Sequence, residues 1–126
     1  MYKRQLRGWV AQCAVTNGTK IAQDKKLARS GLDRLLDRIF ISEVVGAEKP
    51  SAAFFAPVFA SLGGIKPEEM LIVGDSLTSD IRGGINAGIR TCWYNPGGHA
   101  APPELRMDHT ISDIAEVLQI VEKSAR

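Results

Sequence analysis

The chain has 126 residues, of which 44% are hydrophobic and 24% are charged, a balance typical of one globular domain. Sixteen basic and fourteen acidic side chains leave a net charge of +2, which is too small to indicate a nucleic-acid partner. The longest nearly apolar run, residues 52–60, contains Pro57 and is far shorter than a membrane span, and no apolar stretch follows the basic residues 3–7. We therefore expect neither a membrane segment nor a secretory signal.

The chain contains two cysteines, Cys13 and Cys92, and both lie in apolar, strand-like segments. Buried, reduced thiols are more common than a disulfide in this context, and they are typical of a cytoplasmic protein. We expect this protein to be cytoplasmic, with both thiols reduced.

Short β-rich runs alternate with helical stretches, which indicates an α/β fold with flanking helices around a parallel sheet. Strands are predicted at residues 10–15, 39–42, 70–73 and 90–94, and a last short strand ends at Ile111. Helices are predicted at residues 19–30 and 51–62, from the loop 74–78 to about Ala87, and after Ser112. We expect these elements to form a single domain over residues 1–126.

Glycine, proline and serine mark the predicted helix ends. Gly31 and Gly88 follow two of the helices at positions that suit a C-cap, whereas Pro57 is expected to kink or shorten the helix at 51–62. Ser112 is predicted to cap the last helix. The apolar stripe of that helix has helical spacing and consists of Ile114, Val117, Leu118 and Val121.

Three polar clusters follow predicted strands, at the sheet edge where open parallel α/β folds bind ligands. They are Val15-Thr16-Asn17-Gly18, Glu48-Lys49-Pro50, and Gly74-Asp75-Ser76 with Asp80. Taken singly, each cluster is explained as well by a turn, a helix cap or a solvated charge.

Together the clusters contain complementary parts of one reaction. A hydroxyl and free N–H groups at a helix start can hold phosphate oxygens, and a lysine stabilises the negative charge of phosphoryl transfer. Asp75 and Asp80 supply hard oxygen ligands of the kind that Mg²⁺ prefers. The sequence thus favours a site for a small phosphorylated metabolite and Mg²⁺.

These residues resemble motifs II, III and IV of the haloacid dehalogenase (HAD) superfamily, in the family's order and over nearly the whole chain. The stretches Gly83-Gly84-Ile85-Asn86-Ala87-Gly88 and Thr91-Cys92-Trp93-Tyr94-Asn95 are similar, more narrowly, to the YjjG-type pyrimidine nucleotidases. The resemblance implies a Rossmann-like core and a Mg²⁺-dependent phosphohydrolase, with nucleoside 5′-monophosphates as plausible substrates.

The resemblance also implies a role for each matching residue. Thr16 would bind the transferring phosphoryl group through its hydroxyl, with the backbone N–H of Asn17 beside it. Lys49 would stabilise the charge on that group and on the nucleophile. Asp75 would bind Mg²⁺ directly, and Asp80 would orient the water shell of the metal or Lys49.

One feature departs from the family pattern: no Asp-x-Asp motif occurs in the 126 residues. In the family this motif supplies the nucleophile, which forms an aspartyl-phosphate, and the general acid/base. Residues 1–3 resemble the tail of the helix before the second family strand, so the central first strand and the cap domain are also missing. We expect the chain to be the C-terminal part of a larger phosphatase, inactive alone and prone to self-association through open strand edges.

Three other assignments share some of these features. A non-catalytic fragment or pseudoenzyme that keeps the phosphate- and Mg²⁺-binding residues stays open. A haloacid dehalogenase is less favoured, since its last motif usually lacks the Gly74-Asp75 pair. A response-regulator receiver is excluded, because its acidic pair comes first and its lysine last, the reverse of the order here.

Overall fold

The computed structural model describes residues 10–31 and 34–125. The strands are β1 (Cys13–Thr16), β2 (Arg38–Ile41), β3 (Leu71–Gly74), β4 (Arg90–Tyr94) and β5 (His109–Ile111). The α-helices are α1 (Lys20–Ser30), α2 (Ser42–Val45), α3 (Ala52–Ser61), α4 (Arg82–Ala87) and α5 (Glu116–Ala125). A 3₁₀ turn spans Pro67–Glu69 and a π-helical turn spans Leu77–Ile81. The helix tail predicted at residues 1–3 lies outside the described residues.

The strands pair in parallel throughout, in two sheets. β1 pairs with β2 in one sheet, and the other has the order β3-β4-β5. The chain divides into two compact units between Lys49 and Pro50, with the two-stranded sheet in the first and the three-stranded sheet in the second. The predicted α/β class with parallel strands and flanking helices is confirmed.

In the first unit, β1 begins three residues later than the sequence predicts. Just before it, Gln12 and Asp37 exchange two hydrogen bonds of 2.7 Å, since Gln12 N–H donates to the Asp37 carboxylate and Asp37 N–H donates to the Gln12 carbonyl. This exchange sets the register of β1 against β2. Helix α1 agrees with the prediction: the Thr19 hydroxyl accepts from Ala22 N–H, and Gly31 ends the helix with φ of 74°.

In the second unit, α3 runs through Pro57 from Ala52 to Ser61, so the expected shortening was wrong. Proline removes one intrahelical donor. Three apolar side chains on the same helix offset that loss, because Phe54, Phe55 and Val58 are all buried.

Helix α4 packs closely on the sheet because Gly84, which faces the sheet, has no side chain. A Cβ added at Gly84 would lie 2.6 Å from Ile72 Cγ2 of β3 and 2.8 Å from Thr91 Cγ2 of β4. The helix ends at Gly88 with φ of 76°, which confirms the predicted C-cap.

The last helix starts at Glu116, later than the sequence predicts, and Ser112 does not cap it. Instead, the Glu116 carboxylate accepts from the N–H groups of Asp113 (3.0 Å) and Ser112 (2.9 Å), and these bonds hold its pKa below the ordinary value. In the predicted apolar stripe, Val117 is buried whereas Ile114 is 38% exposed. Ile114 therefore lies before the helix and outside its buried face.

The described part of the chain includes no helix long and apolar enough to cross a bilayer. Cys92 is fully buried in β4, whereas Cys13 is half-buried, so the prediction of buried thiols holds for the former. Burial, together with a smaller contribution from the charge of Glu116, raises the pKa of the Cys92 thiol to about 11.

Candidate functional site

In the first unit, the end of β1 carries the predicted phosphate-binding residues. Thr16 is the last residue of the strand and is half-buried. Lys49 is only 7% exposed, and its ammonium donates a 2.9 Å hydrogen bond to the carbonyl of Val15, one residue before Thr16. The structure thus brings the lysine charge to the carboxyl end of β1, beside the threonine.

Asn17 joins this group through its side chain. Its Oδ1 accepts from Lys49 N–H at 2.9 Å, and its Nδ2 donates to the Lys49 carbonyl at 3.2 Å. The motif resemblance implies a role only for the backbone N–H of Asn17, and this side-chain pairing is an addition to it. The contact spans 32 residues, and no local pattern in the sequence announces it.

The turn after Asn17 is fixed from two sides. Gly18 has φ of 146°, in the region that favours glycine, and a Cβ there would lie 2.5 Å from Gln23 Nε2. Gln23 Nε2 donates to the Asn17 carbonyl at 3.1 Å. Ser42 Oγ accepts from Gly18 N–H at 2.8 Å and donates to the Gly18 carbonyl at 3.2 Å. The backbone angle therefore favours glycine at position 18, and a side chain there would also displace Gln23.

In the second unit, Asp75 directly follows β3 and is exposed. Its backbone is held from β4, because Trp93 Nε1 donates a 3.1 Å hydrogen bond to the Asp75 carbonyl. Trp93 is 4% exposed and belongs to the core. The polar contact of the indole was not predicted, although a buried Trp N–H usually has a partner.

Asp80 lies on the π-helical turn between β3 and α4. Ser76 organises the turn: its Oγ accepts from Ser79 N–H at 3.1 Å, and its carbonyl accepts from the N–H groups of both Asp80 (3.0 Å) and Ile81 (3.1 Å). The carboxylate of Asp80 rests against Gly74, since a Cβ at Gly74 would lie 2.6 Å from Asp80 Cβ. The sequence predicted an ordinary helix here, and the π turn is a correction to it.

The oxygens of Asp75 and Asp80 suit Mg²⁺ in type. Asp80 packs on Gly74, the last residue of β3, and Asp75 is the next residue along the chain. Within residues 10–31 and 34–125, His, Cys, Asp and Glu form no group of three that could hold a metal ion. Mg²⁺ takes one or two protein carboxylates and fills its shell with water and phosphate, so the number and type of these two side chains suit it.

Each group of predicted site residues is thus assembled within its own unit. Asn17 and Lys49 are bonded to each other beside Thr16 at the end of β1, whereas Asp75 follows β3 and Asp80 packs on Gly74 at the end of that strand. The first group combines a hydroxyl with a lysine charge, and the second offers two carboxylates. Chemically, the first can bind an anion and the second a hard cation.

Comparison with known proteins supports the motif assignment. Residues 46–119 match the model of the HAD-hydrolase-like family. The pyrimidine 5′-nucleotidase PynA of Streptococcus pneumoniae is 37% identical over 111 residues, which cover 88% of this chain and 47% of PynA. The pyrimidine 5′-nucleotidase YjjG of Escherichia coli is 36% identical over 118 residues, which cover 94% of this chain and 52% of YjjG.

The magnesium-bound crystal structure of YfnB from Bacillus subtilis superposes with a TM-score of 0.91 at 38% identity, over 94% of this chain and 52% of YfnB. The chain spans about half the length of the curated relatives it matches. The resemblance to YjjG-type nucleotidases is confirmed by these similarities. Because the matched segment covers more than half of its residues, the chain belongs to the HAD-hydrolase-like family.

Proposed function

We propose that the chain carries the phosphate- and Mg²⁺-binding residues of a phosphohydrolase that acts on small phosphorylated metabolites. The observation that carries the proposal is the arrangement at the end of β1, where the Lys49 ammonium is bonded to the Val15 carbonyl beside Thr16. This arrangement sets a positive charge beside a hydroxyl donor at the end of a strand, and both groups can bind the oxygens of an anion. The similarity to phosphatases and nucleotidases of the HAD-hydrolase-like family supports a phosphoryl group as that anion.

In this proposal Thr16 and Lys49 bind the phosphoryl oxygens. The hydroxyl donates to one oxygen, with the backbone N–H of Asn17 beside it, and the ammonium offsets the negative charge that develops during transfer. Burial of Lys49 at 7% exposure strengthens this interaction, because screening by water is reduced.

Asp75 and Asp80 would hold Mg²⁺ in the same proposal. Asp75 is the direct ligand because it is exposed at the end of β3, and Asp80 is oriented by Ser76 and Gly74 to order the water shell. When bound, Mg²⁺ supplies Lewis-acid polarisation of a phosphoryl oxygen. The magnesium-bound state of YfnB is consistent with this assignment.

We further propose that these 126 residues bind phosphate without hydrolysing it. None of the seven aspartates stands in an Asp-x-Asp pair, so the attacking carboxylate of an aspartyl-phosphate mechanism is not supplied by this motif. The complete reaction then needs a carboxylate from sequence outside the chain, and a non-catalytic binding role is the alternative. The lengths of PynA and YjjG, about twice the matched region, favour the first reading.

The proposed substrates are nucleoside 5′-monophosphates of pyrimidines. The support is the similarity to PynA and YjjG, both named as pyrimidine 5′-nucleotidases.

We also propose that the protein is cytoplasmic, that it has no nucleic-acid or membrane partner, and that it self-associates through its strand edges.

The test measures binding and turnover separately. Mn²⁺ as a probe for Mg²⁺ and orthovanadate as a probe for phosphate are titrated by calorimetry into the wild-type chain and into Asp75→Asn and Lys49→Met. We expect Asp75→Asn to lose Mn²⁺ binding and Lys49→Met to lose vanadate binding, each by about tenfold or more.

Turnover of UMP and p-nitrophenyl phosphate is assayed with the same proteins. We expect the chain to bind both probes without hydrolysis that depends on Asp75. Hydrolysis that vanishes in Asp75→Asn would mean that the chain contains its own nucleophile. If the wild-type chain binds neither probe, the proposed function is wrong, and release of chloride from 2-chloropropionate would indicate a dehalogenase instead.

A further inference from the structure

We propose that the side chain of Asn17 is a positioning residue for Lys49 and is not a ligand for phosphate. The inference concerns how Lys49 is placed, and its meaning for catalysis rests on the proposed function. The amide of Asn17 contacts both polar groups of the Lys49 backbone, accepting from the N–H at 2.9 Å and donating to the carbonyl at 3.2 Å. A primary amide paired with both groups of one residue fixes that residue in position and orientation.

Asn17 is itself held in place, so its amide acts as a fixed support. Its carbonyl accepts from Gln23 Nε2 of helix α1 at 3.1 Å, and the next residue, Gly18, is bonded twice to Ser42. The contacts from Gln23 and Ser42 hold the turn against α1 and α2. Lys49 is bonded to this turn through the Asn17 side chain.

The effect on Lys49 follows from the flexibility of its side chain. A lysine has four rotatable bonds and loses much conformational entropy when its ammonium is fixed. With the Lys49 backbone held by Asn17, the side chain needs to reach only the Val15 carbonyl, 2.9 Å from Nζ. Since small displacements of a charge strongly reduce its effect on a reacting group, a lysine held at its base is better placed for phosphoryl transfer.

The test is the reactivity of the Lys49 amine in the 126-residue chain. A short pulse of N-hydroxysuccinimide acetate followed by peptide mass spectrometry gives the acetylation of Lys49 relative to that of Lys66, which is exposed. Asn17→Ala removes both bonds to Lys49. Asn17→Asp keeps the oxygen that accepts from Lys49 N–H. Ser42→Ala is the matched control, because it also removes two hydrogen bonds from this turn, both to Gly18 and neither to Lys49.

We expect the Lys49-to-Lys66 ratio to rise about fivefold or more in Asn17→Ala, to rise less in Asn17→Asp, and to change less than about twofold in Ser42→Ala. The proposal is overturned if Asn17→Ala leaves the ratio at the wild-type value, or if Ser42→Ala raises it equally, since general loosening of the turn would then explain the change. If circular dichroism shows that Asn17→Ala is unfolded, the acetylation ratio of Asn17→Asp is compared with that of Ser42→Ala instead. A ratio in Asn17→Asp no higher than in Ser42→Ala then overturns the proposal.

A second arm separates this inference from the proposed function. Orthovanadate is added before the pulse, and protection of Lys49 in the wild-type chain reports an anion bound at the lysine. If Lys49 is not protected while the ratios follow the expected order, the phosphate site is wrong and the role of Asn17 stands. If Lys49 is protected equally in wild type and Asn17→Ala and the ratios are equal, Asn17 does not position Lys49.

Discussion

The indole Nε1 of Trp93 donates a 3.1 Å hydrogen bond to the backbone carbonyl of Asp75. Trp93 lies in β4, the central strand of the three-stranded sheet, and Asp75 directly follows the adjacent strand β3. Asp75 is exposed and Trp93 is buried. A buried core side chain therefore holds the backbone of a residue whose carboxylate is at the surface.

Trp93→Phe should weaken Mn²⁺ binding at Asp75 about threefold, because the variant keeps an aromatic ring and loses the donor that fixes the Asp75 backbone. Calorimetric titration with Mn²⁺ measures the change. Tyr94→Phe, which removes a hydroxyl one residue along the same strand, should leave the affinity unchanged. Equal losses in the two variants would mean that the Trp93 contact has no specific role.

Gly74→Ala should lower Mn²⁺ affinity by about tenfold and destabilise the protein by about 1–3 kcal/mol. The new Cβ would lie 2.6 Å from Asp80 Cβ, so the Asp80 carboxylate must move. Gly63→Ala is the control, since its Cβ would meet only the Ala60 carbonyl at 3.7 Å. Titration with Mn²⁺ and urea unfolding follow the two effects, and wild-type affinity in Gly74→Ala would refute the role of Asp80.

Gly84→Ala should be more destabilising than Gly83→Ala, although both replace glycine within a helix, where alanine has the better propensity. At Gly84 the Cβ would lie 2.6 Å from Ile72 Cγ2, whereas at Gly83 the nearest atom is Phe55 Cε2 at 3.2 Å. We expect a loss of about 1–3 kcal/mol at Gly84 in urea unfolding. The reverse order of the two variants would contradict the close approach of α4 to the sheet.

The stability of the protein should fall between pH 9 and about pH 11 in part through Cys92. Burial, with a smaller contribution from Glu116, raises the folded-state pKa of the thiol from 9.0 to about 11. In this range the folded state keeps a proton that the unfolded state releases. The free energy of unfolding therefore falls, by an amount of the order of 1–2 kcal/mol, as the pH rises. Urea unfolding of wild type and Cys92→Ala across this range isolates the effect, because only the wild type carries it. Parallel curves would contradict the shift.

The sequence predicts elements well where the signals are local. Thr19 and Gly31 bound α1 as expected, because a hydroxyl cap and a left-handed glycine act within one turn of the helix. The class of fold and the three polar clusters follow in the same way, from alternation and from turn residues after strands.

The parts that the sequence does not predict depend on distant partners. Asn17 bonds to Lys49 across 32 residues, and Trp93 bonds to Asp75 across 18. At Ser112 a local rule was wrong, because Asp113 Oδ1 accepts from Ala115 N–H at 2.9 Å, the kind of bond that a Ser112 cap would supply. Pro57 was misjudged for a tertiary reason, since burial of Phe54 and Phe55 outweighs one missing backbone bond.

The π turn at Leu77–Ile81 holds one residue more per turn than an α-helix would need. Loss of a single residue there could be absorbed by ordinary helical bonding, and α4 with its glycine contacts could stay on the sheet. The side chains before the deletion would, however, be rotated by about 100° relative to those after it. Asp80 would then leave Gly74 while the fold persisted. A single-residue deletion in this segment could therefore give a descendant protein that keeps the fold and loses the Asp80 carboxylate from its place beside Gly74.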